Sequence, residues 1–163
     1  MLFKIPIFKG KFHCFLNIVE ININQSLNPF YMHKIGHRVI YADTDAGGVV
    51  YYANYLRWFE SGRRELFRSL KINYNLLDKK GIITPVVQVH CSYFHPARYD
   101  DVVVIETKIS EVKEKSVKFE NKVFRKKDKK LLAEGYTINV FVDKKKMKSV
   151  SIPKEVKKKL KIS

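Results

Sequence analysis

Between residues 52 and 70, apolar side chains recur at steps of three and four. Tyr55, Trp58, Phe59, Gly62, Leu66 and Leu70 form one stripe, with Arg57, Arg63, Arg64 and Arg68 mostly off it. That spacing predicts one long amphipathic helix. Ahead of it, residues 33–43 read as a strand, with Ile35, Val39 and Tyr41 alternating with Lys34, Arg38 and Ile40 over part of the length. Residues 43–48, Asp-Thr-Asp-Ala-Gly-Gly, are a turn-forming cluster between the two. Residues 76–80 add a short turn closed by Gly81, after which the period changes to two. Strands are predicted at residues 86–93, 102–109, 115–125 and 132–142, with a polar hairpin loop at residues 126–130. Pro153 opens a short Lys-rich helix.

One strand, one long helix and four mostly antiparallel strands give an α+β domain, because a single apolar helix and one sheet must cover each other. The helix stripe is bulky enough to sit in a sheet that curls around it. The length, 163 residues, fits one domain. Residues 1–31 lack a clear period and carry no leader-like apolar run with a small-residue cleavage site. They read as an N-terminal extension upstream of a true start at Met32, so the functional domain is expected at residues 32–163. Hydrophobic content of 45% excludes a disordered chain, and no run of 18 apolar residues offers a helical membrane span. Two cysteines, Cys14 and Cys91, make no disulfide framework and point to a reducing, cytoplasmic setting.

The net charge of +16 is unevenly placed. Residues 113–130 carry nine basic and three acidic side chains, and residues 144–163 carry nine Lys and one Glu. Outside these two segments and the extension, eleven basic residues balance eleven acidic ones. Such a surface attracts polyanions. A nucleic-acid-binding module is therefore one reading, although residues 126–130 and 144–148 lack interleaved aromatics or a reading motif.

The chemistry concentrates in the turn before the helix. Asp43 and Asp45 stand two residues apart, followed by Gly47, Gly48 and a helix start. Glycines let backbone approach a ligand, and a helix N-terminus offers unpaired N–H donors. A carboxylate beside such donors can attack a carbonyl or activate water while the N–H groups hold the oxyanion. The same two aspartates also suit an ordinary turn and N-cap. His90, Cys91 and His95 lack metal-ligand spacing. Glu60 sits at i−3 and i−4 from Arg63 and Arg64, which predicts a helix-surface ion pair.

Residues 38–64, RVIYADTDAGGVVYYANYLRWFESGRR, resemble the signature of the hotdog-fold acyl-CoA thioesterases, in particular the 4-hydroxybenzoyl-CoA and YbgC-type groups. Residues 93–101, YFHPARYDD, resemble the same family's second block, as does Val142-Asp143. The resemblance implies a long helix wrapped by an antiparallel sheet, a homodimer or homotetramer with its pocket at the dimer interface, and hydrolysis of an acyl-CoA without metal or other cofactor. It places the catalytic carboxylate on Asp45, the oxyanion-holding backbone N–H on Tyr52 and a site-lining phenol on Tyr41. Gly47, Gly48 and Val49 fall where the loop meets substrate. Arg125, Lys126 and Lys127 are the basic group expected to attract the nucleotide phosphates. YbgC-type members carry His where this chain has Tyr52, and hotdog hydratases and dehydratases rely on a His there, so a hydratase or dehydratase is the weaker enzyme reading.

Overall fold

The computed structural model describes residues 32–160. The extension expected at residues 1–31 lies outside the described residues. Five strands form one antiparallel sheet: β1 (Met32–Arg38), β3 (Val86–Tyr93), β4 (Val102–Val112), β5 (Ser116–Arg125) and β6 (Leu131–Val140). Their spatial order is β1-β4-β5-β6-β3, which leaves β1 and β3 as edges among the described residues. The long helix α1 (Asn54–Ser69) packs across β1 and β4, with a lighter contact on β5.

The period-two pattern explains the sheet's inner face. Val103, Ile105, Thr107 and Ile109 of β4, and Val117, Phe119, Asn121 and Val123 of β5, are buried in strict alternation. The predicted helix stripe meets them. Tyr55, Trp58, Phe59, Gly62 and Leu66 are buried, and Leu70 is half-buried at the helix end. Trp58 and Phe59 join Ile35, Val103, Ile105, Val123 and Leu132 in one apolar cluster, while Leu66 and Phe67 join Ile109, Phe119 and Phe141 in a second. Register breaks between Ile109 and Glu111, and between Val123 and Phe124, add local twist that helps the sheet curl around α1.

Several expectations are corrected. β1 ends at Arg38, not at residue 43, because Tyr41–Asp43 turns into a single 3-10 turn. The helix begins at Asn54, two residues after the expected start. The turn expected at residues 76–80 is a true helix, α2 (Tyr74–Lys79), whose N-terminus is capped by Asn73 through the Asn75 N–H at 2.8 Å. The last long strand breaks at Phe141. Val142–Asp143 becomes β7, which joins β2 (Ile82–Ile83) and β8 (Lys148–Ser149) in a second, small antiparallel sheet. A short helix, α3 (Lys154–Leu160), follows Pro153 as expected.

The ion pair expected between Glu60 and its arginines is absent among the described residues. Arg63 turns inward and is 8% exposed. Its guanidinium lies over the Phe119 ring at 5.9 Å, and Nη1 donates to Thr137 Oγ1 at 3.4 Å. Beside it Thr107 Oγ1 donates to Asn121 Oδ1 at 2.8 Å, so a thin polar seam crosses the helix–sheet interface.

Candidate active site

The loop from Asp43 to Val50 is tied at both ends and in its middle. Its base is closed by the Thr44–Val50 bridge, and Val50 N–H donates to Ala97 O at 2.9 Å, which anchors the loop to the second block. Inside it, Asp45 N–H donates to Val49 O at 2.9 Å and Gly48 N–H donates to Asp45 O at 3.0 Å. Gly48 has a φ of 69°, the left-handed region that favours glycine. A Cβ at Gly47 would stand 3.1 Å from Asp45 Oδ1, so a side chain there would crowd the carboxylate.

The two aspartates have different surroundings. Asp43 is buried, at 6% exposure. Its Oδ2 accepts the Ile40 N–H at 3.1 Å and meets His37 Nε2 at 2.9 Å. Its main-chain carbonyl accepts the Tyr51 N–H at 2.9 Å and Asn54 Nδ2 at 2.8 Å. Asp43 is thus occupied in holding the turn. Asp45 is exposed, and its Oδ1 accepts the Gly47 N–H at 2.8 Å. The second carboxylate oxygen accepts no hydrogen bond among the described residues.

The helix start beside this loop is open. Ala53 stands at the N-cap position and supplies no side-chain cap. Asn54, Tyr55 and Leu56 N–H groups turn back to Tyr51, Tyr52 and Ala53 carbonyls. Among the described residues the N–H groups of Tyr52 and Ala53 make no hydrogen bond, and such uncapped donors suit a developing negative charge. Tyr52 itself is 60% exposed; its ring packs on Tyr51 at 4.6 Å, and its carbonyl accepts the Tyr93 phenol at 3.1 Å. The Tyr51 phenol is pushed above its usual range, chiefly by contact with Tyr52, then by burial, with a smaller push from the charge of Asp45. Burial, and then contact with Cys91, likewise raises Tyr93.

Of the other expected residues, Tyr41 contributes through its backbone. Its carbonyl accepts Thr44 Oγ1 at 2.7 Å, while the phenol is 80% exposed, meets Tyr99 edge-on at 6.2 Å and forms no hydrogen bond to Asp45. Val49 is half-buried in the loop. Arg125 is not a free cation. Its guanidinium meets Asp101 at 3.2 Å and Asp128 at 2.9 Å, and donates to Pro96 O at 2.7 Å. Lys127 pairs with Asp101 at 3.1 Å from an otherwise exposed position, and Lys126 is exposed. Burial opposes ionisation of Asp101, but the Arg98 N–H, Lys127 and Arg125 outweigh it and hold the carboxyl below its ordinary range.

Three residues that hold this loop were not singled out from sequence: His37, Asn54 and Arg98. Arg98 Nη1 donates to Gly48 O at 3.3 Å, reaching from the second block to the loop. An open hollow of about 610 Å³, lined by Tyr99, Asp100, Asp101, Val102, Lys126 and Lys127, lies beside this junction. A hollow of about 620 Å³ on the sheet face turned away from α1 includes none of the loop.

Comparison with known proteins follows the same residues. The model of the thioesterase-like superfamily matches residues 39–160. The chain is 42% identical to the acyl-CoA thioesterase YbgC of Haemophilus influenzae over 122 residues, 74% of this chain and 88% of that protein. It is 31% identical to the 4-hydroxybenzoyl-CoA thioesterase of Pseudomonas sp. over 124 residues, 71% of this chain and 88% of that one. A solved structure of a 4-hydroxybenzoyl-CoA thioesterase variant complexed with 4-hydroxybenzoyl-CoA superimposes with a TM-score of 0.73 at 27% identity, covering 80% of this chain and 99% of that chain. The hotdog fold expected from the resemblance is the fold observed. The chain belongs to the thioesterase-like superfamily.

Proposed function

We propose that this chain is an acyl-CoA thioesterase: water cleaves the C–S bond of an acyl-CoA, giving a carboxylate, the free CoA thiol and a proton. One observation carries the reading. An exposed carboxylate, Asp45, is fixed by the Gly47 N–H on a loop that runs into an uncapped helix start with unused N–H donors. The thioester carbonyl oxygen binds at the Tyr52 N–H, and Asp45 then either attacks the carbonyl carbon or takes a proton from the attacking water. In the first route the acyl group passes through an anhydride with Asp45, which water opens; in the second no covalent intermediate forms. Single-turnover hydrolysis in ¹⁸O-labelled water tests for the covalent route, because label enters Asp45 only when water opens the anhydride at the Asp45 carboxyl carbon. Gly47, Gly48 and Val49 form the surface on which the acyl group turns, and Tyr41 steadies the loop through its carbonyl. No metal or cofactor takes part.

The active form we propose is a homodimer or a dimer of dimers in the cytoplasm. β3 is an edge strand that presents exposed Val87 and Val89, and exposed apolar edges favour pairing with another chain. Lys126, Lys127 and their hairpin attract the phosphates of CoA toward the hollow beside Arg98. Release of free thiol from short-chain, long-chain and aromatic acyl-CoAs tests the reading, beside a salt-dependent titration with duplex DNA. Thioester turnover with only weak DNA binding supports it; tight DNA binding with no turnover on any acyl-CoA overturns it.

A further inference from the structure

The lysine excess of the C-terminal segment does not surround the loop of Asp45. It gathers around α2. The β7–β8 hairpin reaches α2 through Lys144, whose Nζ meets Asp78 at 2.8 Å. α3 reaches its C-terminal end through the Lys80–Glu155 pair, and reaches the turn before it through Lys159 Nζ, which donates to Lys71 O at 2.6 Å. The acidic groups in this region are already engaged. Asp78 and Glu155 hold lysines, and the Asp143 carboxylate accepts the N–H groups of Lys145 and Lys146 at 2.9 and 2.8 Å. Lys145, Lys146, Lys148, Lys157 and Lys158 form no salt bridge among the described residues.

Two large apolar side chains are exposed on these elements. Met147, at the tip of the β7–β8 hairpin, is 69% exposed, and Leu76 on α2 is 57% exposed. Met147 adopts a left-handed φ of 51°, where glycine would be the easier residue. Its N–H donates to Asp143 O at 2.8 Å, so the hairpin is closed and holds the methionine outward between Lys146 and Lys148. The cations are all lysines, without the planar forks that arginine offers to individual phosphates, and no exposed aromatic ring stands among them for a base to stack on. Diffuse lysine charge around protruding aliphatic side chains is the chemistry of an anionic bilayer surface, where lysines attract headgroups and the apolar tip enters the acyl boundary.

We propose that the lysine-rich end formed by α2, the β7–β8 hairpin and α3 docks the protein on anionic membrane surfaces, with Met147 and Leu76 entering the headgroup region. This proposal is independent of the thioesterase reading. It places the chain at a bilayer surface, with the Asp45 loop on other elements.

The test is flotation of the full chain with vesicles of phosphatidylcholine alone, or of phosphatidylcholine with one third phosphatidylglycerol. Binding is expected only to the anionic vesicles, and it should weaken as salt is raised. Combined Lys145→Gln, Lys146→Gln and Lys148→Gln should lower that binding roughly a hundredfold. Met147→Ser should lower it by about fivefold to tenfold, a loss that salt does not reproduce. Turnover of a soluble acyl-CoA, or circular dichroism if no substrate is found, should be unchanged in both variants. Removing three lysines from the other basic segment, with Lys126→Gln, Lys129→Gln and Lys130→Gln, should leave vesicle binding within about twofold. Absence of binding to anionic vesicles at low salt would overturn the proposal. So would equal loss from the two lysine triplets, or tighter binding of duplex DNA than of vesicles through Lys145, Lys146 and Lys148.

Discussion

At the scale of single residues, the site separates what a backbone does from what a side chain does. Tyr52 is the clearest case. Its ring lies on Tyr51 in solvent, whereas its N–H belongs to an uncapped helix start. Tyr52→Phe should therefore change kcat by less than about threefold, since losing one oxyanion donor costs on the order of a hundredfold to a thousandfold and this substitution keeps the donor. A steady-state comparison on one acyl-CoA decides it; a hundredfold fall in kcat would assign the chemistry to the phenol. The Asp45 loop was legible in the sequence because paired carboxylates, paired glycines and a helix start are adjacent in the chain. His37, Asn54 and Arg98 were not, because each acts on the loop from 6 to 50 residues away through contacts that only the fold creates. Arg63 misled for a related reason. Spacing along a helix shows which side chains can meet on its surface, but not that a guanidinium turns under to lie on Phe119.

At the scale of elements, α1 and β4 approach closely because position 62 has no side chain. A Cβ there would fall inside contact distance of Thr107 Oγ1, whose hydroxyl is already committed to Asn121. Gly62→Ala should destabilise the fold by about 1–3 kcal/mol, the usual cost of overpacking, despite the better helix propensity of alanine. Thermal melts should show the loss, and adding Thr107→Ala should recover part of it; a stabilised single variant would contradict the close packing. The β5–β6 hairpin divides differently. Arg125 ties Asp101, Asp128 and Pro96 together, so its replacement should lower Tm, whereas Lys126, Lys129 and Lys130 are exposed. Changing those three lysines to Gln should raise KM for an acyl-CoA several-fold and flatten its salt dependence while kcat stays within about twofold. An acyl-pantetheine, which lacks the nucleotide phosphates, should be indifferent. Equal effects on both substrates would move the hairpin from substrate capture to structure. The long elements were readable from period alone. The small β2-β7-β8 sheet was not, since two-residue strands carry no period and arise only when residues 81–83 and 141–149 meet.

At the scale of the whole molecule, Asp45 lies in solvent and, among the described residues, β3 has no second neighbour. The homodimer proposed above would complete both. Val89→Lys places a charge on the exposed edge strand, so it should shift the sedimentation coefficient toward monomer and lower kcat/KM by at least tenfold, with the fold intact by circular dichroism. A variant that is monomeric and fully active would detach catalysis from assembly. The central claim is that Asp45 carries the chemistry while Asp43 carries the turn, and thiol release by paired variants tests it most directly. Asp45→Asn removes nucleophile and base together, so kcat should fall by roughly a thousandfold or more, with acyl-CoA binding and Tm retained. Asp43→Asn weakens the bonds to His37 and the Ile40 N–H, so it should lower Tm and cost kcat less than about tenfold. Near-normal kcat in Asp45→Asn, with Asp43→Asn inactive and fully folded, would contradict the account.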